Sequence, residues 1–332
     1  MARFGATILD ATGQRLTAEE KAFFRAANPF GFILFARNIH DADQIRALCD
    51  EMRDCVGRDA PITIDQEGGR VQRLRPPLAT EWAPPLDFVA SAGADATQAM
   101  YLRYRLIAHE LHALGIDSNC APMVDLTASE THAFLRNRCY GADPATVSQL
   151  GRAVANGLLD GGVLPVLKHI PGHGRTTLDS HFDLPQVDAP LAELHTTDFA
   201  PFKALNDLPM GMTAHLVFSD IDPQPATLSQ KVMDLIRTDL GFDGLIMTDD
   251  ISMKALSSTP AQIVHGALAA GCDVILHCNA PLRERMAVAD AAGEMSDQAQ
   301  MRAERTLAAR RSPDDLDIPG AQAQLQTLLN AV

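Results

Sequence analysis

Residues 161–183 read GGVLPVLKHIPGHGRTTLDSHFD, and the change of character within this stretch decides the fold. Small and apolar residues run from Gly161 to Leu167. At Lys168 they give way to His169, His173 and His181, with Asp179 and Asp183 among glycines and a proline. An apolar strand that delivers polar residues at its end and runs into a Gly-rich loop is how enzymes build an active site.

Outward from this point the same kind of run recurs. Residues 6–9, 31–36, 61–65, 116–121, 162–168, 210–215, 244–248 and 273–277 are apolar, short, and bounded by Gly, Pro or polar residues. Runs this brief are too short for helices and fit strands buried on both faces. The intervals 18–26, 42–56, 97–114, 144–159, 191–205, 229–240 and 260–270 carry helical periodicity. Thr17 and Glu20 open the first like a capping box, and Ile45, Leu48, Cys49 and Met52 sit at helical spacing in the second.

Alternating strands and helices imply a parallel sheet with crossovers, and eight strand runs suggest closure as an α/β fold, a (β/α)8 TIM-type barrel. The rival is an open doubly wound sheet, weakened because no GxGxxG follows a strand. Beyond Cys278 the chain turns polar and alanine-rich over 281–309, then ends in a proline-containing tail. Too few large apolar residues remain for a second core. Residues 1–332 are therefore read as one catalytic domain, with 281–332 a helical tail packed on the barrel.

At 332 residues and 46% hydrophobic content, the chain is ample for a barrel core. Its formal charge of −14 argues against nucleic acid or an anionic membrane as partner. The six cysteines show neither CxxC nor disulfide-framework spacing and read as buried free thiols. The N-terminus lacks a secretory pattern, and no stretch approaches the roughly 20 apolar residues of a membrane span. A cytoplasmic protein is expected.

Chemistry in such a barrel sits at the C-terminal strand ends. There the sequence offers Arg37 and Asn38, the segment from Asp65 to Arg70, then Asp125, Lys168, His169, His215, Asp249, Asp250 and Asn279. Burying so many charges for structure alone would be costly. Asp65, Arg73, Arg138, Lys168 and His169 suit sugar hydroxyls or a carboxylate. Asp249 reads as a nucleophile, a metal ligand or a structural acceptor. Asp179 and His181 follow the orienter–base logic of a catalytic triad without its serine. Three imidazoles raise a metal reading, but Pro171, Gly172 and Gly174 forbid the helix that would align His169 with His173, and no HExxH occurs. No metal and no cofactor are expected.

KHIPGHGRTTLDSH resembles the KH[FI]PGHG…DSH signature of family 3 glycoside hydrolases, in their β-N-acetylhexosaminidase branch. DQEGGRVQR from Asp65, ILFARN from Ile33, APMVDL from Ala121, MTAHLVFSDID from Met212, PATLS from Pro225 and GFDGLIMTDDISMKAL from Gly241 look like the same family. The resemblance implies a lone (β/α)8 barrel. It also implies Asp249 as nucleophile, His181 as general acid/base with Asp179 its partner, and Asp65, Arg73, Arg138, Lys168 and His169 as ligands of a terminal N-acetylglucosamine. Asp250 is the alternative nucleophile. NRCYG around Arg138 departs from the commoner DRSFG, and TDD from SDD.

What the resemblance implies is a retaining double displacement. The substrates are N-acetylglucosaminides, and within a cytoplasm peptidoglycan-derived muropeptides, N-acetylglucosamine β-1,4-linked to (anhydro)N-acetylmuramic acid with or without peptide. Three rivals stand beside it: a phosphorylase on the same scaffold, a metal-dependent barrel hydrolase, and an idle sugar-binding protein.

Overall fold

The computed structural model describes residues 3–176 and 184–330. Eight parallel strands run β1 Gly5–Asp10, β2 Pro29–Leu34, β3 Ile62–Ile64, β4 Ser118–Asn119, β5 Leu164–Ile170, β6 Met210–Thr213, β7 Leu245–Met247 and β8 Ile275–His277. Their order in the sheet is β7-β6-β5-β4-β3-β2-β1-β8. A parallel bridge between Met247 and Val274 joins the two ends and closes the barrel. Every residue of the eight strands is buried, as strands covered on both faces must be. The expected α/β barrel is the fold observed.

The crossover helices are α1 Ala18–Ala27, α2 Ala42–Val56, α3 Ala96–His112, α4 Pro144–Asp160, α5 Leu191–Thr196, α6 Gln230–Thr238, α7 Pro260–Ala270 and α8 Leu282–Ala292. The Thr17 side chain accepts from the Glu20 amide while Glu20 accepts from the Thr17 amide, which completes the capping box. On α2 the residues Ile45, Leu48, Cys49 and Met52 face the barrel fully buried. Burial of each large apolar side chain among them stabilises by roughly 1.5–3 kcal/mol. All six cysteines are free and buried.

The differences from expectation have local causes. The helix expected over 191–205 is broken: α5 ends at Thr196, and a separate turn, Ala200–Ala204, begins beside Pro201, which has no amide to continue the first. The expected run 281–309 is broken at Gly293, whose φ of 60° places it in the left-handed region. The connector then pairs with the start of β1 through Ala6 N to Gly293 O and Met295 N to Phe4 O, both 2.9 Å. A second helix, α9 Asp297–Ala308, follows, capped by Ser296. A third, α10 Ile318–Leu329, buries Ala321 and Leu325. β4 is shorter than the expected 116–121, yet pairing with β5 continues beyond it: Lys168 N donates to Pro122 O at 3.0 Å and Val124 N to Lys168 O at 3.0 Å. The residues after β4 are thereby registered against the end of β5.

Barrel closure between β7 and β8 depends on one buried carboxylate. Asp273 accepts from Ile246 N at 2.8 Å and Arg237 Nη2 at 2.7 Å, and its other oxygen accepts from Arg302 Nη1 of α9 at 3.0 Å. Asp273→Ala leaves two arginines without their shared carboxylate and is expected to cost about 3–5 kcal/mol of stability. Thermal melts of the variant beside the parent check this, and an unchanged midpoint would contradict it.

Candidate active site

The C-terminal ends of β3 and β5 meet over a set of buried ion pairs. After β3 the chain turns through a hairpin, Gln66–Gly68 against Val71–Gln72, which brings Arg73 back to Asp65. Arg73 Nη2 donates to Asp65 Oδ2 at 2.9 Å, and Lys168 Nζ to Asp65 Oδ1 at 3.1 Å. Lys168 also lies 2.5 Å from Glu67 Oε1, and Arg138 grips the two oxygens of Glu67 with Nε at 3.0 Å and Nη2 at 2.8 Å. The hairpin is held from behind: Arg103 Nη2 of α3 donates to Glu67 O at 2.6 Å and to Ala83 O at 2.8 Å. Gly68, at φ 108°, is required there, because a Cβ would come 1.9 Å from Arg103 Nη2.

Charge balance explains why these groups stay ionised. Burial alone would lower the Lys168 pKa, but Glu67 and Asp65 outweigh it and the net direction is upward. Burial alone would raise Glu67, but Arg138 and Lys168 bring it down to about 2. Asp65 is likewise held well below the usual carboxylate range, burial being overcome by Lys168 and Arg73.

A second hub is Asp125, which is fully buried. Its Oδ2 lies 2.7 Å from His169 Nδ1, and its Oδ1 accepts from the His173 amide at 2.7 Å. Burial opposes ionisation of Asp125, yet the two histidines outweigh it and its pKa is lowered. His173 is pushed by burial and by His169 down to about 4, so its ring is neutral at neutral pH, 3.0 Å from Thr176 Oγ1. The residues 170–174 are tied to the segment after β4. Thr131 Oγ1 donates to Gly174 O at 2.5 Å, His132 N to Thr176 O at 3.0 Å, and a Cβ on Gly174 would strike Leu126 O at 1.8 Å. His173 ties this loop down through its amide and its ring.

Across the mouth, the segment after β7 carries Asp249 and Asp250 in different surroundings. Asp250 is engaged on both oxygens: Ser252 N at 3.0 Å and Cys278 N at 3.3 Å on Oδ1, Ser252 Oγ at 2.7 Å and Asn279 Nδ2 at 3.3 Å on Oδ2. Asp249 Oδ1 accepts from the Asp250 amide at 2.8 Å, and among the described residues its Oδ2 accepts no hydrogen bond. Burial would raise the Asp249 pKa, but His215, His169, the Asp250 amide and Lys168 bring it below the ordinary value. His215, whose pKa burial lowers, bridges Thr227 Oγ1 at 2.8 Å and Asp250 O at 3.2 Å.

Asp65, Arg73, Arg138, Lys168, His169 and Asp249 line one cavity. The structure therefore brings together six of the eight residues singled out from sequence; Asp179 and His181 lie outside the described residues. Arg37 and Asn38, also at a strand end, serve the rim. Arg37 pairs with Asp10 and donates to Asn279 Oδ1 at 2.7 Å, while Asn38 ties its loop to Ala11 O and Gly13 O. A wider depression, lined by Arg3, Arg25, Asp54, Asp290 and Glu294 among others, lies at the opposite barrel end, beside the starts of β1 and β2. Sequence reasoning overlooked Glu67 and Arg103. Glu67 stood in plain view two residues after Asp65, and Arg103 falls on the helix face of Ala99 and Ile107, where a charge is out of place without a buried partner.

Comparison with known proteins agrees with this geometry. A model of the glycosyl hydrolase family 3 N terminal domain matches residues 7–309. A beta-hexosaminidase of Chromobacterium violaceum is 38% identical, the match covering 98% of this chain and 94% of that protein. One from Pseudomonas aeruginosa is 36% identical with 86% of each covered. The solved structure of native NagZ from Neisseria gonorrhoeae superposes with a TM-score of 0.86 at 30% identity, over 98% of this chain and 96% of that one. The chain belongs to glycosyl hydrolase family 3 and is a glycoside hydrolase.

Proposed function

We propose that the chain is a retaining β-N-acetylglucosaminidase that removes terminal non-reducing N-acetylglucosamine from peptidoglycan fragments in the cytoplasm, as part of cell-wall recycling. The observation that carries this reading is the contrast among the cavity's carboxylates. Asp65 is paired with two cations and Asp250 is saturated by donors, while Asp249 has one oxygen unclaimed among the described residues and a carboxyl held below its ordinary pKa. A carboxylate so placed is suited to attack an anomeric carbon and form a covalent glycosyl-enzyme. The names of the relatives, beta-hexosaminidases and NagZ, support the sugar class. The muramic aglycone rests on the family resemblance.

In this reading Asp65, Arg73, Arg138, Lys168 and His169 hold the sugar's hydroxyl groups. His181 protonates the leaving oxygen and later deprotonates water, with Asp179 orienting its ring. Histidine begins near neutral pKa and needs no burial to serve both steps, unlike a carboxyl group that must be raised to about 6–7. Phosphorolysis is disfavoured because Arg73, Arg138 and Lys168 are each already paired with a carboxylate, which leaves none of them as a ready phosphate clamp.

Asp249→Ala should abolish release of N-acetylglucosamine from both 4-nitrophenyl β-N-acetylglucosaminide and the disaccharide with anhydro-N-acetylmuramic acid. A slow fluorinated substrate should label Asp249 in the parent, as read by peptide mass spectrometry, and a label on Asp250 would reverse the assignment. His181→Ala should slow substrates with poor leaving groups far more than activated aryl glycosides; equal losses would argue against an acid role. Because the Asp249 pKa is lowered, the nucleophile stays ionised as pH falls, and activity is lost only when it protonates. The acid limb of kcat/KM set by this group is expected below the ordinary aspartate value of about 3.9. A limb near neutrality arising from Asp249 would contradict it.

A further inference from the structure

Glu67 is the one member of the ion-pair set that does not line the cavity, and it is 1% exposed. It nevertheless touches two residues that do. One oxygen meets Lys168 Nζ at 2.5 Å and Arg138 Nη2 at 2.8 Å, and the other meets Arg138 Nε at 3.0 Å. Two donors from one guanidinium onto one carboxylate fix the plane of the arginine as well as its position. Lys168 is fixed by triangulation, since Asp65 holds it from a second side at 3.1 Å. An ammonium has three protons, so two such partners aim the third.

The backbone of Glu67 is restrained independently. Its carbonyl accepts from Arg103 Nη2 at 2.6 Å and Tyr104 Oη at 3.3 Å, and Arg103 lies over the rings of Phe88 at 4.5 Å and Trp82 at 5.4 Å. A carboxylate anchored at both ends and shared by two neighbouring cations does two things. It cancels the repulsion between Lys168 and Arg138, and it sets the geometry in which they face the cavity.

We infer that Glu67 is a positioning residue for substrate, acting through Lys168 and Arg138, with Arg103 holding its turn from behind. The inference rests on the reading of this cavity as the N-acetylglucosamine site. Interactions of this kind hold the sugar in ground state and transition state alike, so their loss raises KM with little change in kcat.

The test is Glu67→Gln, which keeps the shape and removes the charge, assayed with 4-nitrophenyl β-N-acetylglucosaminide. KM is expected to rise on the order of 10- to 100-fold, the loss typical of a weakened charge-assisted pair, with kcat within about threefold of the parent. Affinity for N-acetylglucosamine itself, by calorimetry well below the melting transition, should fall in parallel. Glu67→Asp retains the charge with a shorter reach and should fall between parent and Glu67→Gln. It also carries the test if the glutamine variant does not fold, a parental KM for Glu67→Asp then counting against the proposal. A parental KM with reduced kcat in Glu67→Gln would mean only fewer folded molecules and overturns the proposal. A parent that neither binds N-acetylglucosamine nor cleaves the aryl glycoside overturns the sugar reading instead.

Discussion

The ammonium of Lys168, 2% exposed and set between Asp65 and Glu67, is the constraint on which the site depends. An isolated charge in such a place would cost several kcal/mol, and its attraction to its partners repays this only when the geometry is good. The partners come from far apart in the chain: the hairpin after β3, the end of β5, and Arg138 from the loop ahead of α4. None can settle correctly without the others. The barrel supplies what the network needs, because parallel strands place their C-terminal ends on one rim and the pairing beyond β4 with β5 sets Lys168 in register with Met123. Folding the barrel and assembling the site are in this sense one event.

Asp125 extends the same logic to the loop that follows β5. Its carboxylate takes the His169 ring and the His173 amide, so the turn after β5 is fixed at the root from which residues 177–183 depart. Gly174 lets that turn lie against the Leu126 carbonyl, an approach closed to any other residue. Among the described residues, Gly174 and His173 are the means of close contact. Proline and glycine mark an unusual backbone path equally well when the path is held as when it moves.

This marks the boundary of what the sequence could disclose. The strands, the capping box at Thr17 and the buried face of α2 were legible because each follows from residues within a few positions of one another. The polar strand ends were legible because a barrel has a known functional rim. The break at Pro201 and the turn at Gly293 are also local, and a stricter reading of those two residues would have found them. Glu67 and Arg103 are different. Arg103 meets Glu67 across 36 positions, and although its place on the apolar face of α3 signals a buried partner, nothing local says which residue that is. α10 likewise depends on docking, since Ala321 and Leu325 make a thin apolar stripe that only tertiary packing turns into a helix of consequence.

The pair Asp249 and Asp250 shows how far environment, rather than residue type, divides the work of the site. The two carboxylates are adjacent, chemically identical and both beside the cavity. Strand alternation, which would turn neighbouring side chains to opposite faces, does not reach them, because β7 ends at Met247. The separation is made by hydrogen bonds. Ser252, Cys278 and Asn279 spend both oxygens of Asp250 on joining the ends of β7 and β8, and His215 braces its carbonyl. Asp249 is left with one oxygen anchored by a backbone amide, in the field of Lys168 and two histidines that keeps it ionised. The proposed nucleophile would have to be both fixed and unsatisfied, and the amide of the neighbouring aspartate supplies the fixing while one oxygen of Asp249 stays unclaimed among the described residues.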